Sequence, residues 1–294
     1  MNIELRHGSG GEETGRLISS LFAKYFKNPI LDRMEDGAVL PVMTGHPVFT
    51  SDSFVVEPLF FPGGDIGKLS ICGTVNDLAS MGAKPLYLTS SFILETGLDT
   101  DTLEKVVVSM AETAQKAGVT IVAGDTKVIE GNGGLYINTA GIGERPLDFS
   151  ISARNLQVGD AILLTGTLGD HHATILTERL HMKTTLHSDC APLNHLVEEL
   201  LSAGLSIHTI RDVTRGGLAT VANELANASE KSIVLSEEDL PVSEEVKGLS
   251  GILGLDPLTM GNEGKMCIVL PAAEAEKALA ILHENPYGKQ AAMV

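Results

Sequence analysis

Several acidic side chains lie at positions in the sequence where they do not stabilise a strand or a helix. Four of these residues share a place within or directly after an apolar segment: Asp52, Asp77, Asp125 and Asp212. Asp36, in the segment Glu-Asp-Gly-Ala-Val, is a fifth candidate. Sets of carboxylate oxygens suit Mg²⁺, a hard cation that proteins usually share with substrate phosphates. Each aspartate taken singly is equally typical of a turn or a helix cap, so spacing alone does not show that they converge.

Clustered glycines supply a second kind of candidate site. Gly8, Ser9, Gly10 and Gly11 precede a helical pattern, and such a loop can expose backbone N–H groups to phosphate. The segment is neither a Walker A motif nor a dinucleotide fingerprint, because no Gly-Lys-Ser/Thr follows it and no strand precedes it.

Two more glycine segments are possible anion sites: Gly216–Gly217 and the stretch 166–170. Tight turns or close packing explain the same glycines equally well. Lys127, two residues after Asp125, is either a phosphate contact or an ordinary solvated lysine.

The histidines and cysteines do not form a recognisable catalytic or metal-binding pattern. His171, His172, His181 and His187 lie close together in sequence but not at the spacing of a helical zinc motif, so we expect surface or capping roles. The three cysteines are far apart and odd in number, which favours buried free thiols over a disulfide framework: Cys72, Cys190 and Cys267.

Charge and length limit the classes of function and the number of domains. The 294 residues carry a formal net charge of -17, which opposes binding to nucleic acid or to an anionic membrane surface. No apolar run approaches the roughly 18 residues of a membrane span, and the N-terminus lacks a signal pattern, so we expect a cytoplasmic protein. The length favours two domains, with a boundary near residue 150 that separates 1–150 from 151–294.

The elements that position these residues follow from hydrophobic periodicity. The pattern predicts helices at 12–27, 65–81, 99–117, 191–203, 218–227 and 272–283, and a further helix after the glycine turn at 166–170. It predicts strands at 48–56, 86–94, 120–123, 135–142, 161–165, 232–235 and 265–270. This order is typical of an α/β fold.

Seven segments in one order resemble a known ATP-binding superfamily. They are HGSGG at 7–11, EDGAVLP at 35–41, the long segment 50–88, VAGDTKV at 122–128, TGTLGDHHATIL at 165–176, RDVTRGGL at 211–218 and GNEGKM at 261–266. The superfamily contains aminoimidazole ribonucleotide synthetase, selenophosphate synthetase and thiamine-monophosphate kinase. Within it the sequence is most similar to the HypE family of hydrogenase maturation proteins.

The resemblance implies a fold and a set of functional residues. It implies an α/β (α+β) fold of two domains, in which the N-terminal domain contributes strands to a barrel formed across a homodimer. ATP would lie between the domains, with Asp36, Asp52, Asp77, Asp125 and Asp212 at the metal and phosphate positions. Further residues fall on supporting positions of the nucleotide site: the 7–11 loop, Asn76, Thr126, Lys127, Gly216, Gly217 and Glu263.

The resemblance also implies a reaction and partners. HypE-type proteins use ATP to dehydrate the S-carboxamide of a C-terminal cysteine to a thiocyanate, which supplies cyanide to the [NiFe]-hydrogenase centre. Asp77 or Glu263 would accept the proton lost from nitrogen, and Lys127 would contact phosphate. The implied partners are the carbamoyltransferase HypF and the HypC–HypD complex.

The sequence departs from the family pattern in two places. It ends in Ala-Ala-Met-Val where the family continues to a Pro-Arg-Ile-Cys tail, so we expect the sequence to be a truncated form that lacks the substrate thiol. His172 stands where the family's Gly-Asp-His-Gly motif has glycine, and we expect it to narrow that turn. Two alternatives stay open: a stand-alone small-molecule kinase or synthetase of the same fold, and a nucleotide-binding assembly partner.

Overall fold

A computed structural model describes residues 2–148 and 150–294 of the chain. The N-terminal segment begins with a 3₁₀ turn at Leu5–His7 and continues as α1 (Gly11–Leu17), a π-helical turn (Ile18–Phe22) and α2 (Ala23–Tyr25). The predicted helix at 12–27 is therefore confirmed in extent. Its hydrogen-bonding pattern changes in the middle, which a 3.6-residue period does not reveal.

The first sheet is built from strands of the N-terminal half. The strands of this half are β1 (His46–Phe54), β2 (Phe60–Phe61), β3 (Gly64–Asp65), β4 (Lys84–Glu95), β5 (Thr120–Ile129) and β6 (Leu135–Arg145). The sheet has the order β1-β6-β4-β5, whereas β2 and β3 form a separate hairpin. Only β4 and β5 run parallel, because helix α4 (Thr100–Ala117) connects them as a crossover.

Helix α3 (Ile66–Ser80) is the element on which both halves of the molecule pack. Asp65 caps its N-terminus by accepting hydrogen bonds from the N–H groups of Gly67 and Lys68. Thirteen of its fifteen residues are buried. The helix lies against β1 and β6 on one side and against elements of the C-terminal half on the other, so it needs no polar face.

The second sheet is built from strands of the C-terminal half. These strands are β7 (Asp160–Leu164), β8 (Thr209–Asp212), β9 (Met266–Pro271) and β10 (Ala292–Met293), in the order β10-β7-β9-β8. The helices of this half are α5 (Asp170–Arg179), α6 (Asn194–Ser202), α7 (Gly217–Ser229), α8 (Glu244–Leu253) and α9 (Ala275–Glu284).

The two sheets differ in how they are covered. In the second sheet, alternate residues of β9 enter two different hydrophobic clusters, so both of its faces are buried. In the first sheet, the inward residues pack on α3 and α4, but the other face is open: Phe49, Ile93 and Ile129 are 67%, 43% and 44% exposed. In the described part of one chain the first sheet does not close into a barrel, so closure would need a second copy.

The structure departs from the predicted elements in several places. Strands β8 and β10 and the β2–β3 hairpin were not predicted. The prediction of a strand at 232–235 is wrong, because the segment is extended without strand pairing. Helix α8 was not predicted, since Gly248 and Gly251 lower its helix propensity. Within residues 2–148 and 150–294, no helix has the length and apolar character that a bilayer crossing demands.

Candidate functional site

A cavity of about 320 Å³ opens at the edge of the first sheet, beside β5. We call it the β5-edge pocket. Its apolar wall comes from the N-terminal helix, the turn at 30–31 and two strands, with the side chains Ile18, Phe22, Phe26, Ile30, Leu31, Phe92 and Ile121. Both ends of the π-helical turn, Ile18 and Phe22, line this wall, and Phe22 packs on Phe92 with ring centroids 4.6 Å apart. The volume and the apolar lining suit a small heterocycle.

Six of the predicted nucleotide or metal residues line the polar side of this pocket: Gly8, Gly10, Asp36, Asp125, Thr126 and Lys127. Residues from three distant parts of the sequence therefore meet here. Gly10 and Gly11 have φ angles of +82° and +79°, a backbone conformation that favours glycine. The N–H of Gly10 donates to Thr14 Oγ1 at 3.0 Å, and Ser9 Oγ donates to the carbonyl of Arg6, so this loop is held by its own side chains.

Asp125 and Lys127 form the charged pair of the pocket. Lys127 Nζ lies 3.0 Å from Asp125 Oδ1 and 2.9 Å from Oδ2, and both side chains are largely exposed. The hydrogen bond from Lys127 lowers the pKa of Asp125, which keeps that carboxylate charged. Asp125 also accepts a hydrogen bond from the N–H of Thr126, whose side chain is buried. The pair offers one anionic and one cationic group to a ligand.

A second group of acidic residues lies where the two halves meet. We call Asp52, Asp77, Asp212 and Glu263 the carboxylate cluster. Asp52 comes from β1, Asp77 from α3, Asp212 from the end of β8, and Glu263 from the loop before β9. Thr50 Oγ1 donates a hydrogen bond of 2.9 Å to Asp77 Oδ2, which ties the helix to the strand.

The members of the carboxylate cluster destabilise one another's charges. Burial and the neighbouring carboxylates of Asp212 and Asp52 raise the pKa of Asp77 to about 6, although the hydrogen bond from Thr50 lowers it. Burial, with Asp52 as a further cause, raises the pKa of Asp212. Burial, followed by Asp189, Asp212 and Asp52, raises the pKa of Glu263 well above its ordinary value. A cluster in this state favours a bound cation or a bound proton.

Among residues 2–148 and 150–294, no three His, Cys, Asp or Glu side chains stand close enough to share a metal ion. Mg²⁺ is usually held by one or two carboxylates together with waters and substrate phosphates. The arrangement is therefore compatible with a metal that the nucleotide brings, and the role of these residues as metal ligands stays a prediction.

The pocket and the carboxylate cluster occupy different parts of the first sheet. Asp52 and Asp125 lie on its two edge strands, β1 and β5, which are three strand spacings or about 14 Å apart. Asp52 faces α3, since a Cβ at Gly73 would lie 3.4 Å from its Oδ2, whereas Asp125 is on the edge away from it. The structure does not bring all five predicted aspartates together within one chain.

Asn76 and the glycines of 216–217 have structural partners that the sequence did not reveal. Asn76 is buried, and its amide donates to the carbonyl of Ala191 and accepts from the N–H of Leu193, so its supporting role in a nucleotide site stays a prediction. Gly217 is buried and its N–H donates to Thr214. Gly216 stays exposed at the start of α7.

The histidine expectations need two corrections. His171 is not a surface residue: its Nδ1 lies 2.8 Å from Ser188 Oγ, and burial lowers its pKa to about 4, so the ring is neutral. His172 does not narrow the glycine turn, because it lies in the first turn of α5 with an exposed side chain. The three cysteines are buried free thiols, as predicted.

Asp189 is a residue that motif reasoning missed. It lies in a Ser-Asp-Cys segment with no recognised pattern, yet its side chain is only 3% exposed and contacts the loop that carries Glu263.

Two family models cover most of the chain. Residues 34–145 match the N-terminal domain of the AIR synthase related proteins, and residues 157–294 match their C-terminal domain. The chain is 49% identical to carbamoyl dehydratase HypE of Escherichia coli (strain K12) over 302 aligned positions, which span 100% of the chain and 90% of that protein.

Solved structures give the same result. The fold is similar to hydrogenase maturation protein HypE in complex with ATP, with a TM-score of 0.95, 49% identity, and coverage of 98% of this chain and 87% of that one. It is also similar to a HypE–HypF complex, with a TM-score of 0.82, 47% identity, and coverage of 94% and 91%.

Proposed function

The chain belongs to the HypE family of the AIR synthase related proteins, and we propose that it is an ATP-dependent carbamoyl dehydratase of hydrogenase maturation. Its substrate is the S-carboxamide of a cysteine, and its product is the thiocyanate that supplies a cyanide ligand to the [NiFe] centre. The likeness to a HypE structure with bound ATP supports the nucleotide, and the 49% identity favours this reaction over a stand-alone kinase of the same fold.

The reaction needs an oxygen leaving group and a proton acceptor. The carboxamide oxygen accepts the terminal phosphoryl group of ATP, which turns a poor leaving group into phosphate. The nitrogen gives up its protons, the C–O bond breaks, and a C≡N bond forms, so that thiocyanate, ADP and phosphate are the products. A protein group must therefore take a proton close to the phosphoryl group.

The single observation that carries the proposal is the environment of Glu263. Burial and three neighbouring carboxylates raise its pKa, so that in its deprotonated form it is a stronger base than a solvated glutamate. It lies beside Asp52 and Asp212, where the phosphates of a nucleotide would be held through a metal ion. We propose Glu263 as the proton acceptor, with Asp77 as the second candidate.

The carboxylate cluster fits magnesium, because a divalent cation relieves the repulsion that raises the pKa of Asp77. One or two of Asp52, Asp77 and Asp212 would hold Mg²⁺ together with waters and the nucleotide phosphates. Asp125 and Asp36 of the β5-edge pocket would join them only from a second copy, since one chain keeps the two regions apart. When bound, the ion would offset the charge that develops on the phosphates.

The β5-edge pocket fits the base of the nucleotide. Its apolar wall suits adenine, and Lys127, Thr126 and the loop of Gly8–Gly11 lie on its polar side, where ribose or phosphate would lie. The exposed Gly216 after Asp212 is a further possible phosphate contact.

We propose a homodimer as the working form, because the open face of the first sheet exposes Phe49, Ile93 and Ile129. Two copies joined by this face would also bring the two edge strands of different chains together, which one chain keeps about 14 Å apart. Light scattering after size exclusion tests this, and a monomer at micromolar concentration would count against it.

Partners follow from the family. A solved HypE–HypF complex supports the carbamoyltransferase HypF as the donor, and the HypC–HypD complex would accept the cyanide. We propose a cytoplasmic location, where ATP is available and where the three free cysteines stay reduced.

The proposed reaction is tested with a cysteine peptide that carries an S-carboxamide and is supplied in trans with ATP and Mg²⁺. We expect the peptide to lose one water, by mass spectrometry, for each ADP formed. ATP binding with no change in the peptide, at any peptide concentration, would contradict a dehydratase. A phosphorylated product without water loss would point to the kinase alternative.

A further inference from the structure

We infer that Asp189 is a positioning residue for Glu263, and that it fixes the loop that presents this carboxylate to the carboxylate cluster. This inference rests on the proposed role of Glu263. Asp189 itself lies outside the cluster and donates nothing to a substrate.

The carboxylate of Asp189 binds the two backbone N–H groups on either side of the Cα of Glu263. Its Oδ1 accepts the N–H of Glu263 at 3.2 Å, and its Oδ2 accepts the N–H of Gly264 at 3.1 Å. The same Oδ2 lies 3.1 Å from Lys265 Nζ, and the two side chains of this ion pair are 3% and 11% exposed. Three consecutive residues of the loop, 263–265, are therefore bound by one buried carboxylate.

The opposite side of the same loop is held by helix α3. The carbonyl of Glu263 accepts from Asn76 Nδ2 and from the N–H of Ala191, each at 3.5 Å. Asn76 also donates to the carbonyl of Ala191 at 3.0 Å and accepts from Leu193 N–H at 2.8 Å. Because Asn76 directly precedes Asp77, the helix that carries one cluster carboxylate also binds the backbone of another.

The loop has no room to relax around Asp189. A Cβ at Gly264 would lie 1.9 Å from the carbonyl oxygen of Asp189, so the two backbone segments are in direct contact. Buried charge-assisted hydrogen bonds of this kind are stronger than neutral ones, and losing one acceptor oxygen leaves the N–H of Glu263 or that of Gly264 without this partner. The direction of the Glu263 side chain consequently depends on Asp189.

The variant Asp189→Asn tests the inference. It keeps the shape of the side chain but replaces one acceptor oxygen with an N–H₂ group that opposes a backbone N–H. We expect kcat for dehydration of the S-carboxamide peptide to fall at least about tenfold while the KM for ATP stays within about threefold, as for a misplaced catalytic group. Hydrogen exchange in a peptide spanning 261–265 should become faster.

A double variant separates positioning from a general structural effect. If Asp189 acts through Glu263, then Asp189→Asn/Glu263→Gln will turn over no more slowly than Glu263→Gln alone. The matched control is Glu95→Gln, since Glu95 also accepts two backbone N–H groups, those of Asn132 and Gly134, in a hairpin away from both sites. It should leave kcat and the exchange of 261–265 unchanged.

A second variant guards against simple misfolding. Asp189→Asn leaves the charge of Lys265 buried without its partner, so Asp189→Asn/Lys265→Met removes both charges and should show the same loss of kcat at a wild-type content of secondary structure. Wild-type kcat in either variant, or single effects that multiply in the double variant with Glu263→Gln, would overturn the inference. If the wild type shows no dehydratase activity, the proposed function fails, and exchange at 261–265 alone still decides whether Asp189 holds the loop.

Discussion

The β5-edge pocket and the carboxylate cluster are built in opposite ways. The pocket belongs to one half of the chain, and its wall is apolar and fully formed by packed side chains. The cluster draws on both halves, and burial together with neighbouring carboxylates raises the pKa values of Asp77, Asp212 and Glu263. We therefore expect the pocket to bind the adenine ring of ATP without a cation, and the cluster to bind the nucleotide only through a cation.

This difference divides the expected effects of mutations into two classes. Changes in the cluster should affect chemistry and the Mg²⁺-dependent part of binding. Changes in the apolar wall of the pocket should weaken nucleotide binding equally with and without Mg²⁺.

The largest effect is expected for Glu263→Gln. Glutamine has the same shape but cannot accept the proton, so we expect the dehydration rate to fall by about 10²–10⁴-fold, the usual contribution of a general base. ATP affinity, measured by calorimetry, should change little, because Glu263 is not proposed to contact the adenine ring. A rate near that of the wild type would transfer the role to Asp77.

A smaller effect is expected in the pocket for Ile18→Ala. The change removes apolar contact from the wall and should cost about 1 kcal/mol, or about fivefold in the Kd for ATP. The same factor should appear with and without Mg²⁺, since the wall does not contact the metal. Ile252→Ala, on the exposed side of helix α8 in the C-terminal half, is the matched control and should bind ATP normally. If Ile18→Ala weakened ATP binding only in the presence of Mg²⁺, the proposed distinction between the pocket and the cluster would be wrong.

The smallest effect is a dependence of stability on pH through Asp77. Its folded-state pKa of about 6 lies above its ordinary 3.8, so its favourable contribution is present below about pH 4 and is lost as the pH rises through 6. Between pH 4 and 7 the metal-free protein should lose about 1–3 kcal/mol of unfolding free energy through this group. In urea unfolding, the unfolding free energy of Asp77→Asn should fall less between pH 4 and 7 than that of the wild type.

The exposed Asp32→Asn is the control for that measurement and should follow the wild type across the same range. Identical pH profiles for Asp77→Asn and the wild type would show that the cluster does not repel its own charges. Added Mg²⁺ should raise the unfolding free energy of the wild type near pH 7 but not near pH 4, where protons compete for the carboxylates.

The sequence predicted the positions of most elements and of most candidate site residues, but not how they converge. Single aspartates such as Asp52 resemble caps, and only their order within motifs indicated a common site. The apolar wall of the pocket was not predicted, because the π-helical turn at Ile18–Phe22 departs from a 3.6-residue period. Asp189 was missed since its partners are backbone N–H groups about 75 residues away, which no local pattern encodes.

Errors in the elements had a related cause. The segment 232–235 is rich in β-branched residues but finds no strand to pair with, and β-propensity depends on that context. Glycines within α8 weakened a helix that tertiary packing of Val246 and Leu249 nonetheless stabilises.

The most direct test of the central claim is a calorimetric titration of ATP with Mg²⁺ into the wild type, Asp52→Asn and Asp125→Asn. One variant lies in the carboxylate cluster and the other in the β5-edge pocket, so together they ask whether both regions serve one nucleotide. We predict that each variant binds Mg²⁺–ATP at least about tenfold more weakly, a loss of about 1.4 kcal/mol. Unchanged affinity in both variants would contradict it.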